Sequence, residues 1–157
     1  MEIKMVSSVI IVKDIQTSRR FYEEVLHQQV LVDHGPNVGF TGGFAIWQVN
    51  HAHQILFGKQ MEIEGPIGMG DIEIYFETEE LEEACRELEK AGVEYVHPLT
   101  EQPWGQRVVR FYDPDHHIIE IGEPIPAVVR RFLSQGMAVE EISRRTSMPV
   151  EIVRQMM

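Results

Sequence analysis

Residues 104–123, WGQRVVRFYDPDHHIIEIGE, hold two arms of strand-forming residues about a turn. The first arm covers residues 106–112, the turn is Asp113-Pro114-Asp115-His116, and the second arm covers residues 117–122. Proline at the second turn position pre-sets φ for a type I turn. The residue closing a three-residue hairpin loop often needs a positive φ, which histidine tolerates better than most side chains. Alternation along the second arm puts Ile119 and Ile121 on one face and Ile118 and Glu120 on the other. A carboxylate therefore stands among apolar neighbours on a strand.

Upstream, the same kinds of element occur twice. Residues 6–12 (VSSVIIV) read as a strand with Ser8, Ile10 and Val12 on one face and Ser7, Val9 and Ile11 on the other. Asp14 caps a helix whose apolar stripe is Phe21, Tyr22, Val25 and Leu26. Strand-like runs follow at 29–33, 38–41 and 44–49, and residues 54–58 either extend the last strand or cross the surface. Gly, Pro and Met dominate residues 58–70, the composition of a linker or lid. Residues 71–77 (DIEIYFE) alternate strictly, with Glu73, Tyr75 and Glu77 opposite Ile72, Ile74 and Phe76. A helix with the stripe Leu81, Ala84, Cys85 and Leu88 stops at Gly92, a strand starts at 93–96, and residues 97–103 read as a loop. The halves match at an offset of 66 residues, each as strand, helix and three strands. The expectation is an α+β protein in which two βαβββ repeats form a curved mixed sheet around a ligand cleft. The halves are residues 1–58 and 71–123, joined by a linker at 59–70, and residues 124–157 add C-terminal helices.

The totals narrow the function classes. A chain of 157 residues with 43% hydrophobic and 25% charged residues suits one globular domain with a sizeable core. No apolar run approaches the ~20 residues of a membrane span, and the N-terminus lacks a signal-peptide pattern, so a cytoplasmic protein without membrane contact is expected. The single Cys85 forms no internal disulfide and sits on the apolar stripe of its helix as a buried, inert thiol. A net charge of −11 repels nucleic acid. The exception is residues 128–157, with five arginines against three glutamates.

With the repeat in place, VIIVKDIQTSRRFYEEVL in the first half, and IEIYFETEELEEACRELEKAGV with PWGQRVVRFYDPDHHIIEIGE in the second, resemble the vicinal oxygen chelate superfamily. This is the group of glyoxalase I, bleomycin-resistance proteins and extradiol dioxygenases. The resemblance implies a metal site with ligands on the first and last strand of each half. Matched residue by residue, these positions are Ser7, Gln48, Glu73 and Glu120, with Ser7 where the family has His, Gln or Glu. Two carboxylates and an amide would suit one hard divalent ion such as Mg, Mn or Ca, and the two-His, one-carboxylate iron triad cannot be assembled from them. His51 and His53 lie close enough to Gln48 to join such a site if the strand register is shifted.

Glu73 and Glu120 are the catalytic candidates, as metal ligands or as a carboxylate pair whose repulsion raises one pKa and leaves a general acid or base. The plain alternative is two solvated carboxylates on an open sheet face. Trp47, Tyr75 and Trp104 are candidates for stacking on a ligand or for cleft wall. Arg107 and Arg110 fall on opposite faces of one strand, and one of them pairs with an anionic ligand or with Glu120; Arg107 is placed in the ligand set. Three functions follow: a glyoxalase-type lyase or isomerase acting next to a carbonyl, a ligand-sequestering protein of the bleomycin-resistance type, and a ligand-responsive DNA-binding module. The last would use FLSQGMAVEEISRRTSMPVEIVRQM, which resembles a helix-turn-helix. A homodimer with a small-molecule ligand is the expected assembly, and a helical extension docked on the body is the expected role of the tail.

Overall fold

A computed structural model describes residues 1–60 and 63–157 and divides into two compact units: Met1–Ile72 with Tyr112–His117, and Glu73–Phe111 with Ile118–Met157. Met61 and Glu62, within the linker read at 59–70, lie outside the described residues.

In the first unit β1 (Ser8–Val12) leads into α1 (Ile15–Arg20), which Asp14 caps by accepting from the Thr17 N–H at 2.6 Å. The helix widens into a π-type turn over Phe21–Val25. Three strands follow: β2 (Val30–Asp33), β3 (Asn37–Phe40) and β4 (Phe44–Gln48). The sheet order is β1-β4-β3-β2, with β1 and β4 parallel. Tyr22 is fully buried and packs at a tilt on Phe40 and Phe44, so the helix covers the sheet face that carries Ile10, Val12 and Ile46. Val49, read as a strand end, and residues 54–57 of the stretch read as its extension or a surface crossing belong instead to α2 (Val49–Phe57), stopped by Gly58 in the left-handed region. Val49, Ala52 and His53 form its covered side, a 3.6-residue pattern that two histidines obscure.

The second unit repeats the arrangement: β5 (Glu73–Glu77), α3 (Leu81–Ala91), β6 (Tyr95–Glu101), β7 (Arg107–Tyr112) and β8 (Ile118–Gly122), in sheet order β5-β8-β7-β6 with β5 and β8 parallel. Glu80 holds the N-cap position of α3 as Asp14 does that of α1, without a side-chain capping bond, so the 66-residue offset holds in the structure. Residues 97–101, read as loop, belong to β6; register shifts on either side of His97 and the proline at 98 hide the strand period. α4 (Ile125–Ser134), α5 (Val139–Thr146) and α6 (Val150–Gln155) enclose a small core of Val128, Val129, Phe132, Ile142 and Val153.

This helical tail is anchored by charge and by close packing. Arg131 pairs with Glu123 at 3.0 Å and with Glu101 at 3.1 Å, Arg145 also pairs with Glu101, and both guanidinium groups lie over the Phe132 ring. Gly105, at φ 91, lets the ring approach: a Cβ there would stand 2.2 Å from Phe132. Arg130 and Arg154 pair with Glu79 and Glu140, so four of the five tail arginines are engaged by carboxylates.

The hairpin tip works as a lock within the first unit. His116 has φ 67, as the turn requires, and Asp113 is nearly inaccessible. The Asp113 carboxylate accepts from the Tyr22 hydroxyl (2.9 Å), from the Asp115 and His117 N–H groups (both 2.9 Å) and from His117 Nδ1. Asp115 accepts from the Lys13 N–H and the Ser18 hydroxyl, while its own carbonyl accepts from Ile67 and Gly68. A buried carboxylate surrounded by donors stays satisfied, so the aspartates of the turn are structural. Burial raises the pKa of Asp115, with the neighbouring Asp113 adding to the effect.

Candidate functional site

The strand register defines the two faces of the second sheet. Glu73, Tyr75 and Glu77 are aligned with Ile118, Glu120 and Gly122 on one face, and Ile74 and Phe76 with Ile119 and Ile121 on the other. Arg107 lies on the α3 side, where it pairs with Glu123 and with Glu82 of that helix. Arg110 lies on the opposite side, aligned with His97. Of the two arginines, then, Arg110 reaches the candidate carboxylates, and Arg107 serves a structural cluster. Burial pushes the Glu123 carboxyl up, but bonds from Arg107 and Arg131 more than offset that and hold it below the ordinary range.

Glu73 and Glu120 are brought together by Arg110. Its Nε donates to Glu73 Oε1 at 2.6 Å, one terminal nitrogen pairs with Glu120, and the other donates to His97 Nε2 at 3.0 Å. His97 Nδ1 in turn faces the Pro98 carbonyl at 2.8 Å, so the ring links that carbonyl to the Arg110 guanidinium. The carboxylates differ in access: the Glu120 side chain is 6% exposed, against 42% for Glu73. Burial raises the Glu120 pKa, Glu73 raises it further, and Arg110 opposes both.

Tyr75 stands beside Glu120 in register. Its hydroxyl donates to Glu77 at 2.8 Å and accepts from Gln106 Nε2 at 2.7 Å, and burial with Glu77 beside it raises its pKa. Trp104 Nε1 donates to Gln106 Oε1 at 3.1 Å, which brings Trp104 to the Tyr75 end of this face. The sequence pattern did not single out Gln106 or His97. Gln106 begins the first arm, where alternation counts for least, and His97 was hidden by the bulged strand.

The first unit supplies little to a metal. Val9 is the counterpart of Tyr75 at the 66-residue offset, and its partner on β4 is Ala45. The counterpart of Glu120 is therefore Ala45, not Gln48, which pairs with Val12 in line with Ile10 and Ile46 on the helix-covered face. The Ser7 hydroxyl donates to the Ser8 carbonyl. Trp47 lies on the face opposite Gln48 and donates to His51 Nδ1 at 2.7 Å. Among the described residues, no three His, Cys, Asp or Glu side chains are grouped to hold a metal ion. The divalent ion that the resemblance implies does not fit these residues: a guanidinium already bridges the two carboxylates, and the other matched positions are a serine and an alanine.

Comparison with known proteins agrees with the fold. A family model described as a glyoxalase-like domain matches residues 5–126. A protein of unknown function from Agrobacterium tumefaciens is 35% identical over 79% of this chain and 96% of its own, with a TM-score of 0.73. A lactoylglutathione lyase from the same species aligns at 19% identity and TM-score 0.58 over 76% of this chain and 92% of its own. The fosfomycin resistance protein FosX from Mesorhizobium loti aligns at 18% identity and TM-score 0.56 over 79% and 94%. No curated protein matches the chain in sequence. Two βαβββ modules with parallel first and last strands, and a family match across both, place the chain in the glyoxalase-like family of the vicinal oxygen chelate superfamily.

Proposed function

We propose that the chain binds a small carbonyl compound on the open face of its second module, and that Glu120 moves a proton at the carbon next to the carbonyl. The observation that supports this reading most is a buried carboxyl with a raised pKa, set beside a second carboxylate and a fixed cation. In the reaction the C–H bond breaks, its proton passes to a Glu120 oxygen, and the electron pair moves onto the carbonyl oxygen as an enolate. Arg110 supplies the positive charge facing that oxygen, and the proton returns from Glu120 to the same or the neighbouring carbon. Glu73 keeps the pKa of Glu120 high by repulsion and shares the guanidinium. Tyr75 and Trp104 form the aromatic end of the face, and no step passes through a metal.

The test is solvent exchange. In D2O the protein speeds deuterium incorporation next to the carbonyl of a bound ketone, and Glu120→Gln abolishes the acceleration while leaving binding within about threefold, since the amide keeps the shape. Exchange that survives in the variant would overturn the assignment. Sequestration without turnover is the second reading, supported by the ion pairs that Arg110 already makes with both carboxylates. Tight binding with no exchange at any pH would select it.

A further inference from the structure

The ion pairs on Arg110 are unequal. Its bond to Glu120 is buried, whereas its bond to Glu73 runs along the Nε edge to a carboxylate that is 42% exposed on the first residue of β5. The Arg110 side chain itself is 22% exposed. His97 accepts from Nη1, and Glu120 holds Nη2 from within the fold. Glu73 is thus the more exposed of the two carboxylates on this guanidinium and the one that an incoming carboxylate displaces more readily, because it regains water on leaving. Its departure frees the Nε–H of a guanidinium that keeps its charge, a position that another carboxylate fills.

We propose that the ligand is a 2-oxo acid, whose carboxylate takes the place of Glu73 on Arg110. The inference rests on the proton-transfer reading above and names its substrate class. The carboxylate and the keto oxygen of such an acid lie side by side, so with the carboxylate on the Nε–H the keto oxygen stands next to the guanidinium charge. The carbon on the far side of the carbonyl then stands toward Glu120. Displacement leaves the charge count around Arg110 unchanged: one exposed carboxylate goes out and another comes in. Glu73 therefore acts as an internal competitor that holds Arg110 in place when no ligand is bound. An aromatic group on the ligand suits the Tyr75 end of the face, where the tyrosine is 44% exposed.

Two probes separate the class from the reaction. Phenylpyruvate carries the carboxylate, and 1-phenylpropan-2-one replaces it with a methyl group while keeping the same carbonyl and benzylic carbon. Calorimetry and loss of the benzylic proton signal in D2O are followed for the wild type and for Arg110→Lys, Glu73→Gln and Glu120→Gln, with circular dichroism to confirm folding. The expected result is saturable binding of phenylpyruvate and about tenfold or more weaker binding of the neutral ketone, the usual effect of one charge-assisted contact. Arg110→Lys, which keeps the charge and loses the fork, erases most of that preference, and Glu73→Gln binds phenylpyruvate several-fold tighter. No saturable binding of phenylpyruvate, equal affinity for both probes, or a preference untouched in Arg110→Lys would overturn the substrate class. Phenylpyruvate binding that depends on Arg110 without accelerated exchange would keep the class and overturn the proton-transfer reading. Exchange of both probes through Glu120 with no preference would do the reverse.

Discussion

Glu120 owes its chemistry to its neighbours. Burial and the facing Glu73 disfavour its charged form, and Arg110 restores part of what they remove. The sign of the pH dependence follows. A carboxyl whose folded pKa is raised contributes stability that is fully present below the ordinary glutamate value and is lost as the pH rises through the raised one. Catalysis runs the opposite way, because the base must be ionised, so exchange activity rises with pH over that same window. In the first unit the equivalent care goes into structure. Tyr22→Phe removes the hydroxyl that donates to the buried Asp113 and is expected to cost about 1–3 kcal/mol, measured by urea unfolding. A loss within error would mean that Asp113 finds another donor.

Among the elements, the hairpin, the sheet-covering helices α1 and α3 and the tail helices follow from local chemistry. Asp14 acts through its side-chain cap, Gly92 and the Asp-Pro-Asp-His turn through their backbone preferences, and the structure uses each as its sequence indicates. α2 and the end of β6 did not show in the sequence. The first mixes histidines and apolar residues in a short helix, and the second carries a proline and two register shifts. The candidate site was legible where parity alone decides. Glu73, Tyr75 and Glu120 share a face as their spacing requires, whereas choosing between Arg107 and Arg110 needed the position of α3. Gln48 misled because its place depends on where β4 ends, which alternation does not fix. The tail is held by one aromatic anchor, so Phe132→Ala is expected to cost about 3–5 kcal/mol and to loosen α4 to α6 in hydrogen exchange. Tail amides that stay fully protected in this variant would contradict that anchoring.

At the scale of the whole molecule, one repeated module has been put to two uses. The second keeps charged groups at its first- and last-strand positions, while the first has Ser7 and Ala45 there and devotes its buried polar groups to locking the hairpin tip. The cation at the paired carboxylates is an arginine of the chain itself. Prolonged dialysis against EDTA is accordingly expected to leave phenylpyruvate affinity and exchange unchanged within about twofold, and recovery of lost activity by an added divalent ion would refute this. All of this depends on Glu120 being a proton carrier. The most direct measurement is a 13C NMR titration of its side-chain carboxyl, assigned through Glu120→Gln. A midpoint clearly above the ordinary glutamate value, moving back toward it in Glu73→Gln, is predicted; a midpoint at or below that value would contradict it.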